Sequence, residues 1–321
     1  MKGELMKHDM KRDMNISEMN RREFIKRSIA AGLITGTAMI TGGFDVFAAN
    51  KTSIPDLVAV KGGEPGQMFD KAMAEFGGIG SFVKKNSTVV VKPNIGWDVG
   101  PERAANTHPA LVRQIVKHCL SAGAKKVYVF DNTCDEWTRT YKTSGIERAV
   151  KDAGGTVIPG SSERYFHDVT IGMGKKLSKA KVHEQILEAD VFINVPVLKH
   201  HSSAKLTIGM KNHMGIVWDR GFWHRNDLHQ CIADFATFKK PTLTVVDAYN
   251  VLKKDGPRGV SEADVVNMKS LIMTRDPVAA DAAAAMLFGE NPSDIPYIKR
   301  AAAMGVGTMN LDSLSIKRIK L

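Results

Sequence analysis

The sequence predicts an α/β protein: a mainly parallel sheet with flanking helices and a polar insertion near residues 161–181. Three observations lead to this fold class. Continuous apolar runs rich in β-branched residues recur along the chain, as at residues 87–92 and 190–196, and such runs are typical of strands covered on both faces. Segments with helical periodicity and capping residues separate them. Repeated strand–helix alternation implies right-handed βαβ units, so most strands are expected to be parallel.

Each expected element rests on a local pattern. Apolar runs predict strands at residues 56–61, 87–92, 126–131, 190–196, 241–247, 268–274 and 315–319. Amphipathic segments predict helices at residues 65–76, 109–123, 146–153, 277–288 and 296–304. Three polar side chains are expected to cap helix starts: Thr107, Ser144 and Asp276. The lysine-rich residues 161–181 interrupt the alternation, and a β-ribbon or flap is expected there.

The first 48 residues predict an export signal rather than part of the fold. Arg21 and Arg22 are adjacent and are followed by an aromatic, an aliphatic and a lysine residue, which is a twin-arginine pattern. An uncharged, mildly apolar stretch follows at residues 28–44, and small residues precede Ala49. The twin-arginine translocation machinery is therefore an expected partner, and the mature chain is expected to begin near Ala49.

This signal also bears on location and domain organisation. Residues 1–48 are expected to be the signal peptide and residues 49–321 a single α/β domain, periplasmic or otherwise extracytoplasmic after export. Retention as a membrane anchor is the weaker alternative, because Gly and Thr make the apolar stretch a poor spanning helix. Translation from Met1 and translation from Met19 both remain open.

The charge balance favours anionic partners. The chain carries a net charge of +11. Residues 1–48 hold eight basic and six acidic residues, and subtracting this +2 leaves +9 for the rest. A basic surface attracts acidic metabolites and phosphate groups. No block of basic residues is interleaved with aromatics, so a nucleic-acid partner is not expected.

Cysteine spacing argues against an iron–sulfur cluster held by this chain. Cys119, Cys134 and Cys231 show no C-x-x-C spacing, whereas clusters need several thiolates at short intervals. Three is an odd number for a disulfide framework, although one bridge remains open. Cys119 lies among apolar residues of an expected helix, so a buried, inert thiol is predicted there.

Polar side chains lie at the ends of five of the expected strands or directly after them. In open α/β sheets, ligands bind at the carboxyl ends of the parallel strands. Convergence at one edge therefore predicts a site formed by these groups: Lys92 and Asn94; Asp131, Asn132 and Thr133; Lys199, His200 and His201; Asp247; Arg275 and Asp276.

The segment at residues 196–215 is the densest in such groups. Its lysines, including Lys199 and Lys211, can hold carboxylate or phosphate as point charges. Its histidines can act in acid–base chemistry or as metal ligands. His200 and His201 are adjacent, so on a strand they face opposite sides, and at most one of them is expected in the site unless the turn there reorients them.

Familiar catalytic motifs are absent from the sequence. It has no P-loop, no G-x-G-x-x-G after a strand and no G-x-S-x-G elbow. It also has no H-E-x-x-H, and His224 and His229 are five residues apart, a poor spacing for one helix face. A metal ion is left open as a cofactor, without an identified set of ligands.

The chain resembles the domain of unknown function 362 family. The resemblance rests on motifs that run in order along most of the mature chain: Val91-Lys92-Pro93-Asn94 with Gly96, Thr107-x-Pro109, Asp131, Ser144-Gly145, Pro196-x-x-Lys199-x-His201, Gly209-Met210-Lys211-Asn212-x-Met214-Gly215, Asp247, and Asp276 to Asp281. It implies a shared α/β domain but no particular reaction. Some members carry a ferredoxin-like cysteine-rich module, whose cysteines this chain lacks.

The first functional hypothesis is an exported enzyme that acts on a small anionic substrate, with or without a metal. The expected substrate-binding residues are Lys92, Asn94, Lys199, Lys211 and Asn212. His201, with Asp131 or Asp247, is expected to transfer protons or to hold a metal. Two alternatives remain: a periplasmic protein that binds or delivers a metal, cofactor or acidic metabolite, and a redox partner of an iron–sulfur protein in trans.

Overall fold

Strands and helices alternate along residues 54–321, the part of the chain that the computed structural model describes. The strands are β1 Leu57–Lys61, β2 Thr88–Pro93, β3 Lys126–Val129, β4 Thr156–Val157, β5 Phe166–Thr170, β6 Lys179–His183, β7 Val191–Val195, β8 Val197–His201, β9 Lys205–Thr207, β10 Leu243–Leu252, β11 Val265–Thr274 and β12 Ile316–Lys320. The helices are α1 Pro65–Glu75, α2 Pro109–Ser121, α3 Trp137–Thr143, α4 Ile146–Asp152, α5 Glu184–Glu188, α6 Gly209–Asn212, α7 Arg220–Arg225, α8 Leu228–Phe238, α9 Pro277–Phe288 and α10 Pro296–Ala303. The export signal predicted around Arg21 and Arg22 lies outside the described residues.

The central sheet has the strand order β12-β1-β11-β10-β7-β2-β3-β4. β11 runs antiparallel to both of its neighbours, and the other neighbouring pairs along this order are parallel. This confirms the mainly parallel sheet. The β8–β9 hairpin joins the sheet through β10. β5 and β6 form a separate antiparallel ribbon, which confirms the predicted insertion near residues 161–181.

Two apolar layers cover the sheet. On one face β7 contributes Ile193, which packs in a core with α1, α2 and α4. On the other face β7 contributes Phe192, which packs in a core with α8, α9 and α10. Alternate residues of a strand point to opposite faces, so a strand buried on both sides is mostly apolar. Along residues 54–321, no helix is both long enough and apolar enough to cross a membrane.

Helix starts follow the predictions in part. Asp276 caps α9, because its Oδ1 accepts from the amide nitrogens of Val278 (2.8 Å) and Ala279 (3.0 Å). The predicted cap at Thr107 is wrong: the residue before α2 is His108. The Thr107 hydroxyl instead donates to the carbonyl of Val195 at 2.7 Å. It therefore ties the loop after β2 to the end of β7.

The predicted capping box at Ser144 is also wrong. Gly145 precedes α4 with a φ of 73° and provides no side chain to cap the helix. The Ser144 hydroxyl donates to the carbonyl of Tyr141 at 3.1 Å and accepts from the amide nitrogen of Ile146, the first residue of α4, at 3.4 Å, without a reciprocal contact from Glu147. A local sequence pattern identified this helix start but not the contacts that stabilise it.

Candidate functional site

A cavity of about 460 Å³ opens at the carboxyl ends of β2 and β3, beside the β8–β9 hairpin. Because β2, β3 and β7 are parallel, the residues that follow them meet at one edge of the sheet. Seven of the eight predicted site residues line this cavity: Lys92, Asn94, Asp131, Lys199, His201, Lys211 and Asn212.

Asp247 is the predicted site residue placed outside the cavity lining. β10 continues to Leu252, so Asp247 lies within the strand rather than at its end. Its two carboxylate oxygens accept from the amide nitrogens of His108 (2.7 Å) and Tyr249 (3.0 Å). Burial raises the pKa of Asp247. These contacts hold the start of α2 against β10.

The residues after β11 do not reach this edge either. β11 is antiparallel to β10, so its carboxyl end lies at the opposite edge of the sheet. Asp276 caps α9 there, and the Arg275 guanidinium lies 4.7 Å from the ring centroid of Phe82. The expected convergence of five strand ends is wrong for this strand, because its direction could not be read from its own sequence.

Lys92 and Asp131 form a buried ion pair at the base of the cavity. The Lys92 Nζ lies 3.0 Å from the Asp131 Oδ1 and donates to the Asn212 Oδ1 at 2.8 Å. The Asp131 Oδ2 accepts from the amide nitrogen of Ile95 at 2.7 Å. Burial lowers the pKa of Lys92 and raises that of Asp131. The two pKa values therefore approach each other, which lowers the cost of moving a proton between the two groups.

The two predicted asparagines position the lysines. The Asn212 Nδ2 donates to the backbone oxygen of Lys92 (3.2 Å) and to the Asn194 Oδ1 (2.8 Å), which orients its Oδ1 toward the Lys92 ammonium. The Asn94 Nδ2 also donates to the Asn212 Oδ1, at 3.2 Å. The Asn94 Oδ1 accepts from the Lys199 Nζ at 3.3 Å. One amide network therefore holds both lysine nitrogens.

Lys199 and Lys211 are buried without a neutralising carboxylate. The Lys199 Nζ donates to the Asn94 Oδ1 and to the carbonyl of Ala105. The Lys211 Nζ contacts the Met214 Sδ at 3.7 Å. Among the described residues, neither lysine has a carboxylate within ion-pair distance. Burial lowers the pKa of Lys199 to about 7 and that of Lys211 to about 8.

His201 is held as a neutral hydrogen-bond donor. Its Nδ1 accepts from the amide nitrogens of Ser203 (3.1 Å) and Ala204 (3.3 Å), so the neutral ring carries its proton on Nε2. Burial, together with the nearby lysines, lowers the pKa of His201 to about 2. The ring therefore suits hydrogen bonding to an anion better than accepting a proton at neutral pH. A protonated Nε2 also has no lone pair for a metal ion.

His200, the neighbour of His201, lies outside the cavity, as expected for adjacent residues of a strand that point to opposite sides. The His200 Nδ1 accepts from the amide nitrogen of Gly256. The ring of His224 stacks on that of His201, with 6.4 Å between the ring centroids. In residues 54–321, no three or more His, Cys, Asp or Glu side chains are grouped to hold a metal ion.

Further lining residues, among them Arg220, Thr207 and Cys134, were missed from the sequence. The Arg220 guanidinium donates to the carbonyls of Asn132 and Thr133, both at 2.7 Å, and its Nη1 lies 3.5 Å from the Cys134 Sγ. The Thr207 hydroxyl is buried with no hydrogen-bond partner among the described residues. Cys134 directly follows the predicted Asp131-Asn132-Thr133 run, so that pattern could have included it. Nothing local marks Arg220 or Thr207.

The three cysteines are all free and differ in their exposure to solvent. Cys119 and Cys231 are buried, and burial raises their pKa values to about 12 and about 11. This confirms the buried thiol predicted at Cys119. Cys134 is exposed and lines the cavity. The disulfide left open by the sequence is therefore not formed between these residues.

Basic groups dominate the cavity. Lys92, Lys199, Lys211 and Arg220 line it together with one carboxylate, that of Asp131. Four basic groups against one acidic group give a charge of up to +3 when the lysines are protonated. Neutral donors of Asn94, His201 and Thr207 also line the cavity. This arrangement can bind a small anion by charge and by hydrogen bonds.

Comparisons of sequence and structure relate this chain to known proteins. The solved structure of the lactate racemase apoprotein from Thermoanaerobacterium thermosaccharolyticum has a TM-score of 0.46 and 15% sequence identity; the match covers 72% of this chain and 56% of that one. The thylakoid-associated protein sll1697 of Synechocystis sp. is 24% identical over 238 residues, which is 72% of both chains. The family model described as Domain of unknown function (DUF362) matches residues 89–286, a range that contains every predicted site residue. The chain therefore belongs to the DUF362 family.

Proposed function

We propose that this protein is an enzyme that binds a small carboxylate or phosphate anion in the cavity and acts on it. The observation that carries the proposal is the burial of Lys199 and Lys211 without a carboxylate partner. A buried ammonium is costly unless a counter-charge compensates it. A bound anion supplies that charge, and the unpartnered Thr207 hydroxyl offers it a further donor.

Replacing Lys211 by Met tests anion binding directly. The Lys211 Nζ contacts the Met214 Sδ and, among the described residues, has no carboxylate within ion-pair distance. Lys211→Met therefore removes the charge without breaking an ion pair. A hydrogen bond to a charged group contributes about 1.5–3 kcal/mol, so affinity for propanoate or phosphate should fall roughly 10- to 100-fold. Lys117→Met, on the exposed face of α2, is the matched control. Isothermal titration calorimetry measures both.

The double variant K199M/K211M gives the sharper result. It should lose measurable anion binding while its circular dichroism spectrum and melting transition remain those of a folded protein. Wild-type affinity in this folded double variant would refute the proposed anion site.

A carrier of an acidic metabolite is the second candidate, because His201 and Asn94 are placed to bind rather than to transfer protons. Asp131→Asn separates the two functions. An enzyme that uses the Lys92–Asp131 pair for proton transfer should retain anion binding and lose turnover in this variant. Equal release and uptake of an unchanged ligand by wild type and variant would favour the carrier.

We also propose that the protein is exported before it functions. The twin-arginine pattern supports passage of the folded domain across the membrane. Changing Arg21 and Arg22 together to Lys should leave the protein in the cytoplasmic fraction of its native host. Unchanged periplasmic recovery of this variant would contradict export by that route.

A further inference from the structure

The three cavity lysines differ in what their nitrogens contact. Lys92 faces a carboxylate, that of Asp131, at 3.0 Å. Lys211 contacts a thioether sulfur at 3.7 Å. Lys199 faces two neutral oxygens, the Asn94 Oδ1 and the backbone carbonyl of Ala105. The three side chains therefore suit different protonation states and different tasks.

The contacts of Lys199 match those of a neutral amine. An ammonium has three N–H donors, whereas a neutral amine has two donors and one lone pair. Two acceptors are present, so both N–H groups of the amine are satisfied and the lone pair is left for the cavity that Lys199 lines. Burial lowers the pKa of Lys199 to about 7, so a large share of the molecules carry the amine at neutral pH. A desolvated lysine beside other cationic groups is an activated nucleophile.

We propose that the Lys199 amine forms an imine with the carbonyl group of a small 2-oxo acid, whose carboxylate is bound by Lys211. This deepens the proposed function and rests on its anion site. It identifies the substrate class as anions that carry a ketone or aldehyde next to the carboxylate. Lys211 suits the carboxylate because its charge has no protein carboxylate to neutralise it.

The step balances without an oxidant or a reductant. The Nζ lone pair attacks the carbonyl carbon and forms a C–N bond, while the carbonyl oxygen takes up a proton. The nitrogen then loses a proton, the hydroxyl takes up a proton in its place, the C–O bond breaks as the nitrogen lone pair forms the C=N bond, and the oxygen leaves as water. Amine, carbonyl and one proton thus become a protonated imine and water. The pKa values of Lys92 and Asp131 are shifted toward each other, so this pair can donate the transferred proton and accept it again.

The protonated imine suits the charge of the cavity better than a second lysine ammonium would. Before the reaction, the charge of Lys211 lowers the pKa of Lys199 and so opposes a second ammonium there. The 2-oxo acid brings one negative charge for the one positive charge that the imine creates. A protonated imine also withdraws electrons from the adjacent carbon, which favours loss of a proton from that carbon and gives a neutral enamine.

Reductive trapping tests the proposal with the full mature chain. The protein is incubated with pyruvate or with 2-oxoglutarate and sodium cyanoborohydride, then digested and mapped by mass spectrometry. Trapped pyruvate adds the mass of pyruvic acid less one oxygen atom to one lysine. We expect this adduct at Lys199 and its loss in Lys199→Arg. Propanoate has the carboxylate but no carbonyl, so it should bind, leave no adduct and suppress trapping.

The outcomes separate the two proposals. Adducts confined to other lysines, or none with either oxo acid while both displace bound propanoate, would overturn the imine and leave the anion site intact. Failure of propanoate and both oxo acids to bind would overturn the anion site itself. Should Lys199→Arg fold poorly, the wild-type map still decides, because it compares Lys199 with Lys92 and Lys211 in the same protein.

Discussion

Replacing Gly215 by Ala is a sharp test of how the cavity is built. A Cβ at this position would lie 1.7 Å from the Asp131 Oδ1 and 2.5 Å from the Lys92 Nζ. The carboxylate would have to retreat by at least about 1.3 Å to reach the 3.0 Å below which real Cβ contacts are essentially not observed. Such a shift breaks its 2.7 Å hydrogen bond from the amide nitrogen of Ile95 and loosens the ion pair.

The cost follows from these two contacts. Losing a hydrogen bond to a charged group costs about 1.5–3 kcal/mol, and breaking a buried ion pair costs about 3–5 kcal/mol. Lys92 can release its proton instead of remaining charged, because burial has already lowered its pKa. We therefore expect a loss of about 3 kcal/mol in the free energy of unfolding. For 268 residues, counted from 54 to 321, an unfolding entropy of about 2.1 cal/mol/K per residue converts this loss to about 5 °C in Tm.

Urea denaturation followed by circular dichroism measures the change, and calorimetry with propanoate reports the state of the cavity. Gly80→Ala is the matched control. Gly80 is exposed, and a Cβ there meets nothing within 4 Å, so its stability should be unchanged or slightly higher. A Gly215→Ala protein with the Tm of the wild type and undiminished propanoate affinity would refute the close packing of this glycine against the ion pair.

Three further predictions concern ionisation and access. A bound anion stabilises the ammonium forms of Lys199 and Lys211, whose pKa values are about 7 and about 8; binding therefore takes up protons, and calorimetry should show affinity falling as pH rises through 8, by up to about tenfold per pH unit for each lysine. An affinity that is flat from about pH 6 to 9 would contradict this linkage. Native treatment with iodoacetamide should alkylate Cys134 and spare the two buried thiols, and propanoate should slow the reaction; labelling of a buried thiol first would be inconsistent with the packing. The ring proton resonances of His201 should not titrate between about pH 5 and 8, because its pKa is lowered to about 2; a midpoint in that range by NMR would show that the ring does accept a proton.

Much of the fold could be read from local patterns. Mainly apolar runs identified β2, β7 and the first half of β10, because strands covered on both faces are mostly apolar. The antiparallel direction of β11 could not be read in this way, since a strand has the same apolar pattern in either direction. The hairpin β8–β9 was missed because its strands are short and carry several polar residues. In addition, β8 joins the sheet through β10, which is distant in sequence.

The positions of the candidate site residues depended on strand ends. Lys92 lies near the end of β2, Asn94 directly follows β2 and Asp131 follows β3, and all three reach the cavity because parallel strands end at the same edge. Asp247 was predicted by the same rule but lies inside β10, which continues for five residues to Leu252. The length of a strand depends on the partners that pair with it, and those partners are distant in sequence.

By itself, then, the sequence determined the α/β class and the accumulation of Lys, Asn, His and Asp side chains at one edge of the sheet. The tertiary structure alone decided what each of these groups can do. Lys92 faces a carboxylate 39 residues away in sequence, that of Asp131, whereas Lys199 faces two neutral oxygens. Arg220 reaches the cavity through a contact that spans 88 residues. Residue type and spacing set which groups can ionise, but burial and the nearest partner set which form they take, and these arise only when the chain folds.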